Sequence, residues 1–397
     1  MIYVVNNEIL DPVVESQVLR PLASDAASGP NYVIALVPIG FKTRRKLRYR
    51  LKRVMDRARS VYGVGVIPVV CGTSRWRSRL LDRFMLGASV RPLMRRHPQM
   101  ALCGRNSYTT RLILASIRRA HPANKVVFDC RGDAPAECLG RAGAGFDPDA
   151  VTDSRIRLRY LAEFEDERAA CEADHIIAVS QAMARMLERR HAASPAKITV
   201  RPCAVDLAAF PAPDPQAARR SLGVDGRFVV CYLGSLQWYQ MPDQSARVFR
   251  LIQKHTRNAL FLAITTEPDR MRSLLLGKGI KEEDFVVISV PSSEVSSLLP
   301  AADLGLLLRH RNPVNAVASP IKFAEYLACG VPVLITPGVG DYSGLVQGAG
   351  IGGLAELETD DDTLSGQLAC VIENVAADPA VRRRCRSYVE KHLSWRK

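Results

Sequence analysis

The chain has 397 residues, 47% of them hydrophobic, which is enough apolar sequence to build two α/β domains. Its formal net charge is +15 at pH 7. It contains no apolar run of about 18 residues, and its first residues lack the basic start and small-residue cleavage site of a signal peptide. We therefore expect a cytoplasmic protein. The ten cysteines are scattered without a C-x-x-C pair, which disfavours a disulfide framework and a zinc site.

Short apolar segments, each followed by a more polar segment of helical length, recur in two series along the chain. The first series comprises residues 2–5, 33–37, 64–70, 125–129 and 175–179, and the second comprises 228–233, 260–265, 285–290, 304–308 and 331–336. Prolines and polar residues at 211–223 separate the series and suit a linker that leads into a short helix. The pattern predicts two doubly wound sheets, with ligands bound at the carboxyl ends of their strands.

The stretch 319–341, SPIKFAEYLACGVPVLITPGVGD, has the pattern of a capped helix followed by a turn and a buried strand. Ser319 is a good N-cap, and Pro320 suits the first helical position because its missing N–H would have no intrahelical partner. The N–H groups after Pro320, the helix dipole and the ammonium of Lys322 together favour phosphate binding. Glu325 shares a face with Lys322, where its carboxylate can accept hydrogen bonds from ribose hydroxyls.

The second half of this stretch predicts a tight approach of the backbone to a ligand. Gly330 suits a left-handed helix end, and residues 331–336 suit a strand that is covered on both faces. Gly338 and Gly340 then allow a close turn. The alternative is an ordinary helix-to-strand unit of an α/β protein, with Glu325 at the surface.

The segment resembles the donor-site signature of family 4 retaining glycosyltransferases, in the form S-P-x-K-x-x-E-Y-L-A-x-G-x-P-V followed by G-V-G-D. Other resemblances to this family occur in the family's order: FDCRGDAPAE at 128–137, ADHIIAVS at 173–180, PCAVDLAAF at 202–210 and VVCYLGSL at 229–236. The resemblance spans residues 9–395 and implies the GT-B fold, in which two Rossmann-like domains face each other across a cleft.

The resemblance also implies domain boundaries and a site for a nucleotide diphosphate sugar. The expected parts are an N-terminal acceptor-side domain at 1–205, a linker at 206–225, a nucleotide-sugar domain at 226–378 and a C-terminal helix at 379–397, shorter than usual for the family. Glu325 is expected to bind the ribose. The expected donor-binding residues are Gly234, Ser235, Ser319, Pro320, Ile321, Lys322, Glu325, Gly338 and Gly340.

Arg309 and Asn315 are the candidate catalytic residues. Arg309 follows a strand in LLLRHRN and suits a diphosphate or sugar contact, although a surface charge is an equal alternative. Many family members have a Glu eight positions before the residue equivalent to Glu325, and that Glu contacts the donor sugar. This chain has Val317 there, so we assign the contact with the donor sugar to the polar neighbour Asn315. The Arg and Lys often found after the glycine turn are also absent, and the residues there are Gln237, Trp238, Tyr239 and Gln240.

Enzymes of this family typically retain the anomeric configuration and need no divalent metal. The departing phosphate is often proposed to accept the acceptor's proton, so no dedicated base and no cofactor beyond the nucleotide-sugar co-substrate are implied. Positive charge at the leaving diphosphate must then come from helix ends and cations. The expected acceptor-side residues are Asp11, Arg105, Asp129, Arg131 and Glu137. Asp129 and Arg131 alternatively form a structural ion pair.

The positive charge is concentrated at 41–125. This segment contains 22 lysines and arginines and only two acidic residues, Asp56 and Asp82, which gives it a net charge of +20. Two segments, 43–59 and 75–96, place apolar residues at helical spacing among these cations: Leu47, Leu51, Val54, Met55 and Ala58 in the first, and Trp76, Leu80, Phe84 and Ala88 in the second. Such helices bind the anionic inner face of a membrane. The alternatives are apolar stripes that pack on the domain's own sheet, or a polyanionic acceptor.

Nucleic-acid binding is disfavoured. Only 6% of the residues are aromatic, too few to interleave stacking platforms with the cations, and no zinc-finger, helix-turn-helix or RNP pattern is present. The sequence therefore favours a glycosyltransferase that acts on a glycan or lipid-linked acceptor in surface-polysaccharide or glycolipid synthesis. A non-hydrolysing nucleotide-sugar epimerase and a non-catalytic GT-B binding protein remain alternatives.

Overall fold

The computed structural model describes residues 1–6, 8–10, 14–24, 29–38, 45–72, 79–118 and 120–395. The chain forms two compact units, Met1–Pro202 and Cys203–Arg396, called here the first and second units. Each consists of a parallel β-sheet with helices packed on it.

The first unit contains a sheet with the strand order β3-β2-β1-β4-β5-β6-β7. Its strands are β1 (Ile2–Asn6), β2 (Tyr32–Pro38), β3 (Gly65–Cys71), β4 (Leu102–Arg105), β5 (Val126–Cys130), β6 (His175–Ala178) and β7 (Ile198–Val200). Its helices are α1 (Arg20–Ser24), α2 (Arg45–Tyr62), α3 (Arg79–Arg96), α4 (Ser107–Ser116), α5 (Ala134–Arg141), α6 (Ser154–Ala170) and α7 (Gln181–His191). Strand order reverses between β1 and β4, so a ligand crevice is expected at the carboxyl end of these two strands.

The second unit contains a sheet with the strand order β10-β9-β8-β11-β12-β13. Its strands are β8 (Phe228–Leu233), β9 (Ala259–Ile264), β10 (Phe285–Ile288), β11 (Leu304–Leu307), β12 (Val333–Ile335) and β13 (Gly352–Leu354). Its helices are α8 (Pro215–Leu222), α9 (Pro242–His255), α10 (Pro268–Gly277), α11 (Val295–Leu298), α12 (Pro313–Ala316), α13 (Ile321–Ala328), α14 (Tyr342–Gly348), α15 (Asp361–Ala377) and α16 (Val381–His392). Here the order reverses between β8 and β11.

The apolar runs form central strands because both faces of each sheet are covered by helices. Every residue of β1, β5 and β9 is buried. In the second unit, Phe323 and Tyr326 of α13 belong to one core cluster, and Phe249 of α9 belongs to another. Continuous apolar strands of this kind are typical of parallel sheets.

All ten predicted strands correspond to observed strands within about two residues at either end. The prediction omitted β4, β7 and β13, which are short or contain glycine. The segment 206–225, assigned to a linker, lies in the second unit, where α8 buries Ala218 in the core. The expected C-terminal helix is α16, which also packs in the second unit.

Candidate functional site

The glycosyltransferase-like segment of the second unit forms α13, but Ser319 does not cap this helix. The N-cap is Pro320, and no side chain caps the first turn. The hydroxyl of Ser319 instead accepts a hydrogen bond from the backbone N–H of Cys203 (2.9 Å) and shares another with the hydroxyl of Tyr342 (2.7 Å). The predicted N-cap is therefore wrong, because tertiary partners take the hydroxyl. The N–H of Phe323 donates to the carbonyl of Pro320 (3.0 Å), whereas the N–H groups of Ile321 and Lys322, at the start of the helix, have no intrahelical acceptor.

The end of α13 and the glycine loop after β12 have the predicted backbone. Gly330 has φ +69°, the left-handed conformation predicted for it. Gly340 has φ +49° and donates its N–H to the carbonyl of Asn315 (2.9 Å), and a side chain there would collide with the carbonyl of Ala318. Gly338 has φ +78°. The loop is thus held against the segment that precedes α13.

Lys322 lies directly against the glycine turn after β8. A side chain on Gly234 would lie 2.7 Å from Lys322 Nζ, so only glycine leaves room for the ammonium group. Lys322 Nζ donates to Gln240 Oε1 (2.8 Å), and Gln240 Nε2 donates to Ser235 Oγ (2.8 Å). The structure therefore brings three predicted donor-site residues, Gly234, Ser235 and Lys322, into one cluster.

Arg309 is buried, with 8% of its surface exposed, so the surface-charge alternative is wrong. Thr336 holds its backbone through two hydrogen bonds, and Arg309 Nη1 donates to the carbonyl of Leu308 (2.8 Å). The guanidinium carbon lies 5.8 Å from the ring centroid of Tyr239. Within the described part of the chain, neither Arg309 nor Lys322 forms an ion pair with a carboxylate. Their positive charge is thus available to an anionic ligand.

Burial and the nearby charges perturb Lys322 and Glu325. Desolvation, assisted by the positive charge of Arg309, lowers the pKa of Lys322 to about 7, although Glu325 opposes this shift. Desolvation raises the pKa of Glu325, and Lys322 opposes it. The carboxylate of Glu325 has no hydrogen-bond partner among the described residues. A ligand that offers phosphate to Lys322 and hydroxyls to Glu325 would satisfy both groups.

An aromatic cluster adjoins Arg309. Trp238 stacks on His310, with ring centroids 6.2 Å apart and an interplanar angle of 27°. Trp238 also contacts Tyr239 edge to face, with centroids 5.8 Å apart. Trp238 and Tyr239 remain 42% and 38% exposed. Trp238 and Tyr239 belong to the segment after the glycine turn, residues 234–243, which contains no Arg or Lys.

Asn315, the second candidate catalytic residue, lies in α12 and is buried. Its amide nitrogen donates to the carbonyl of His310 (2.8 Å), and its backbone carbonyl accepts from Gly340. Asn315 therefore joins the loop after β11 to the glycine loop after β12.

In the first unit, three of the expected acceptor-side residues, Arg105, Asp129 and Arg131, lie at the carboxyl ends of β4 and β5, near the point where strand order reverses, and Glu137 lies in α5. Asp129 is 1% exposed and pairs with Arg131, with 2.8 Å between Arg131 Nε and Asp129 Oδ1. The hydroxyl of Tyr3 donates to Asp129 Oδ2. Arg105 Nη1 lies 3.7 Å from the same oxygen, while Arg105 Nε donates to Glu8 Oε2 (2.8 Å). Asp129 and Arg131 thus form the ion pair that the alternative interpretation predicted.

A cavity of about 670 Å³ opens beside this network. Arg105, Arg131 and Glu137 line it, together with Glu8 and Asn106, whereas Asp129 does not. Burial raises the pKa of Glu137, although its ion pair with Arg141 opposes the shift. Asp11, the fifth predicted acceptor-side residue, lies outside the described residues.

The two basic helices differ in where their apolar stripes point. In α2, Leu51 and Ala58 are buried, and Leu47, Val54 and Met55 pack against the core, so this stripe does not face outward as a membrane contact would require. In α3, by contrast, Leu80 and Phe84 are 78% and 70% exposed, and Leu81 is 41% exposed. Residues 43–44 and 75–78 of the predicted segments lie outside the described residues.

Two family models match consecutive parts of the chain. Residues 58–209 match the family described as Glycosyltransferase Family 4, and residues 214–392 match the family described as Glycosyl transferases group 1. The sucrose-phosphate synthase of Thermosynechococcus elongatus has a similar structure, with a TM-score of 0.68 at 14% identity over 99% of this chain and 94% of that one. HepE of Anabaena in complex with UDP gives a TM-score of 0.67 at 14% identity over 99% and 95%.

The chain has the GT-B glycosyltransferase fold. Among curated relatives of this GT-B chain, the D-inositol 3-phosphate glycosyltransferase of Actinosynnema mirum is 30% identical over 192 residues, which cover 45% of this chain and 44% of the relative. The GT-B chain thus spans about half the length of the curated relatives it matches. None of the helices in its described ranges is both long and apolar enough to cross a membrane.

Gln240, Trp238 and His310 adjoin the site but were not predicted from the sequence as parts of it. The residue types after the glycine turn were visible in the sequence, but their contacts with Lys322 and with each other depend on the tertiary fold. The one available signal was the presence of two adjacent aromatic residues, Trp238 and Tyr239, after a glycine turn of the GT-B domain.

If Asp129 is structural, Asp129→Asn should lower the free energy of unfolding by about 2–4 kcal/mol, because it leaves Arg105 and Arg131 without their shared counter-charge. Urea unfolding would measure the loss. The control is Glu165→Gln, which breaks an exposed pair with Arg168 and should cost no more than about 0.5 kcal/mol. Unchanged stability together with weakened acceptor binding would contradict the structural role.

Proposed function

We propose that this GT-B chain transfers a sugar from a nucleotide diphosphate sugar to a glycan or lipid-linked acceptor, with retention of configuration and without a divalent metal. The observation that carries the proposal is the cluster of Arg309, Lys322 and Glu325, whose side chains form no salt bridge among the described residues, although Glu325 interacts electrostatically with Lys322. HepE of Anabaena, which has the same fold, binds UDP and UDP-glucose.

The cluster suits the charge of the donor. Arg309 and Lys322 provide positive charge where a leaving diphosphate becomes more negative, and in a desolvated site such groups stabilise developing charge more than they would in water. The N–H groups of Ile321 and Lys322 and the positive end of the dipole of α13 also favour a phosphate. Glu325, one turn further along, is placed to accept hydrogen bonds from the ribose.

In the proposed reaction, the bond between the anomeric carbon and the β-phosphate oxygen breaks, and the acceptor oxygen bonds to that carbon on the same face. The acceptor's proton moves to the departing phosphate oxygen, so no separate base is required. The cations hold the nucleoside diphosphate while its charge increases. The products are the glycosylated acceptor and the free nucleoside diphosphate.

The acceptor is proposed to bind in the cavity of the first unit, at the carboxyl ends of β4 and β5. Arg105, Arg131 and Glu137 line this cavity and supply both donors and acceptors of hydrogen bonds. A volume of about 670 Å³ is in the range of small-molecule sites.

We further propose that α3 contacts an anionic membrane surface, which would place the reaction at the inner face of the membrane, in surface-polysaccharide or glycolipid synthesis. Leu80, Leu81 and Phe84 form an exposed apolar group, and Arg91 and Arg95 on the same helix are also exposed. Exposed apolar residues beside cations bind such surfaces through burial and charge together.

Thermal-shift and calorimetric titration with UDP, GDP and their sugar conjugates tests the donor site. One nucleoside diphosphate should stabilise the protein, and Glu325→Ala should weaken its binding about tenfold or more, because the ribose hydroxyls lose their acceptor. Glu358→Gln, at an exposed position, is the control and should bind normally. NMR of the product in EDTA should show a retained anomeric configuration. Indifference to every nucleotide, or release of a free epimerised donor, would contradict the proposal.

Lys322 should make donor binding depend on pH. Its pKa is lowered to about 7 in the free protein, and a bound diphosphate favours the charged form, so binding should take up a proton above that pH. The affinity for a nucleotide sugar should fall as pH rises from 7 to 9, by at most about tenfold per unit. Calorimetry in buffers of different ionisation enthalpy measures the uptake. Lys322→Arg should abolish the dependence, and a pH profile unchanged in that variant would exclude Lys322 as its source.

Vesicle sedimentation tests the membrane surface. Leu80→Ser with Phe84→Ser should weaken binding to vesicles that contain phosphatidylserine by about tenfold or more, since two apolar side chains no longer enter the bilayer. Leu276→Ser, on the exposed face of α10 in the second unit, is the control. High salt should also release the protein. Equal binding by the double variant and wild type would show that α3 is not the contact.

A further inference from the structure

The stacked pair of Trp238 and His310 has no role in the donor site described so far. Trp238 leaves 42% of its surface in solvent, although it is held against His310 and Tyr239. Aromatic side chains carry large apolar faces on which a ligand can stack. The rings are fixed by their mutual contacts, so a ligand would meet a preformed surface.

The groups around the pair follow one another in a definite order. Glu325 lies one helical turn from Lys322, whose ammonium donates to Gln240 Oε1 (2.8 Å), the residue after Tyr239. The guanidinium of Arg309 lies over Tyr239, 5.8 Å from the ring centroid, and Tyr239 contacts Trp238, with centroids 5.8 Å apart. The order is therefore a carboxylate, two cations and an aromatic surface.

A nucleotide diphosphate sugar has its parts in the same order: a ribose, two phosphates and a glycosyl ring. If the ribose is at Glu325 and the phosphates are at Lys322 and Arg309, the glycosyl ring reaches the aromatic surface. We propose that Trp238, supported by His310, is a stacking platform for the glycosyl ring of the donor. This inference rests on the proposed function and adds a residue that selects the sugar.

The platform suits the chemistry of a sugar ring. A pyranose presents C–H groups on its faces, and their slight positive charge is attracted to the negative face of an aromatic ring. Stacking also fixes the orientation of the ring next to the leaving diphosphate without using hydroxyl contacts. This contact is available even though Val317, 5% exposed, stands where related enzymes have a Glu that binds the donor sugar.

The test compares Trp238→Ala with wild type for binding of a nucleoside diphosphate and of its sugar conjugate, by calorimetry. The probes are UDP with UDP-glucose, and GDP with GDP-mannose. Trp238→Ala should weaken binding of the sugar conjugate about fivefold to tenfold, while the affinity for the free nucleotide changes less than about twofold. Trp238→Phe keeps an aromatic face and should restore most of the affinity, and Leu276→Ala is the control for an exposed apolar residue in the same unit.

Other outcomes overturn the inference and identify the reason. If Trp238→Ala weakens nucleotide and nucleotide sugar equally, the ring stacks on the base or supports the loop. If it weakens neither, the exposed face has no role in donor binding. If wild type binds no nucleotide at all, the proposed function itself fails, and that result is distinct from either of the others. A melting temperature within a few degrees of wild type would show that each variant is folded.

Discussion

Two basic side chains that form no salt bridge among the described residues, Arg309 and Lys322, set the main constraint on the second unit. Removing a charged group from water is unfavourable unless another charge or hydrogen bonds compensate it. The protein holds Arg309 by its backbone through Thr336 and by the ring of Tyr239, and it holds Lys322 through Gln240. These contacts fix the cations but do not neutralise them. A diphosphate would do so, and ligand binding should therefore stabilise the fold as well as occupy the site.

In the first unit, by contrast, a buried charge is compensated by its neighbours. Asp129 is almost fully buried, but Tyr3, Arg105 and Arg131 surround its carboxylate. Because the negative charge is already compensated, the network supports the strand ends and leaves the adjoining cavity to be lined by the outer parts of Arg105 and Arg131. The charges around Asp129 in the first unit thus compensate one another. In the second unit, Arg309 and Lys322 are suited to bind an anion.

Much of the fold could be predicted because buried parallel strands require apolar, often β-branched runs. Strand β4 was missed because LCGR contains glycine and arginine, and the structure shows why glycine is needed: a side chain on Gly104 would collide with Thr110. Strand β13 was missed because GGL has only one apolar side chain. Neither strand has the local signal that identifies the others, and pairing with a neighbour is what makes each a strand.

The candidate site, like the fold, could be predicted from the sequence only in part. Gly234 and Gly340 could be predicted because only glycine permits the close approaches seen there. Ser319 had the right residue type for a cap, but Cys203 and Tyr342 engage its hydroxyl, and no local pattern could show this. The burial of Arg309 likewise could not be predicted, because it stands beside His310 and Arg311 in the sequence. Sequence reasoning found the residues of the site, and the tertiary contacts decided what each one does.

The last helix has a consequence for the order in which the protein folds during synthesis. Arg386 of α16 donates to the carbonyls of Phe210 and Ala328, so it joins the start of the second unit to the end of α13. Val205 also pairs in parallel with Ser394. Domains generally fold as units while the chain emerges from the ribosome. The residues of the first unit up to Pro202 are made before those of the second unit, whereas α13 acquires its contact with α16 only after residues 381–392 have been made. The first unit can therefore fold while the chain is still being made, whereas the segment that carries Lys322 and Glu325 is secured only after residues 381–392 have emerged.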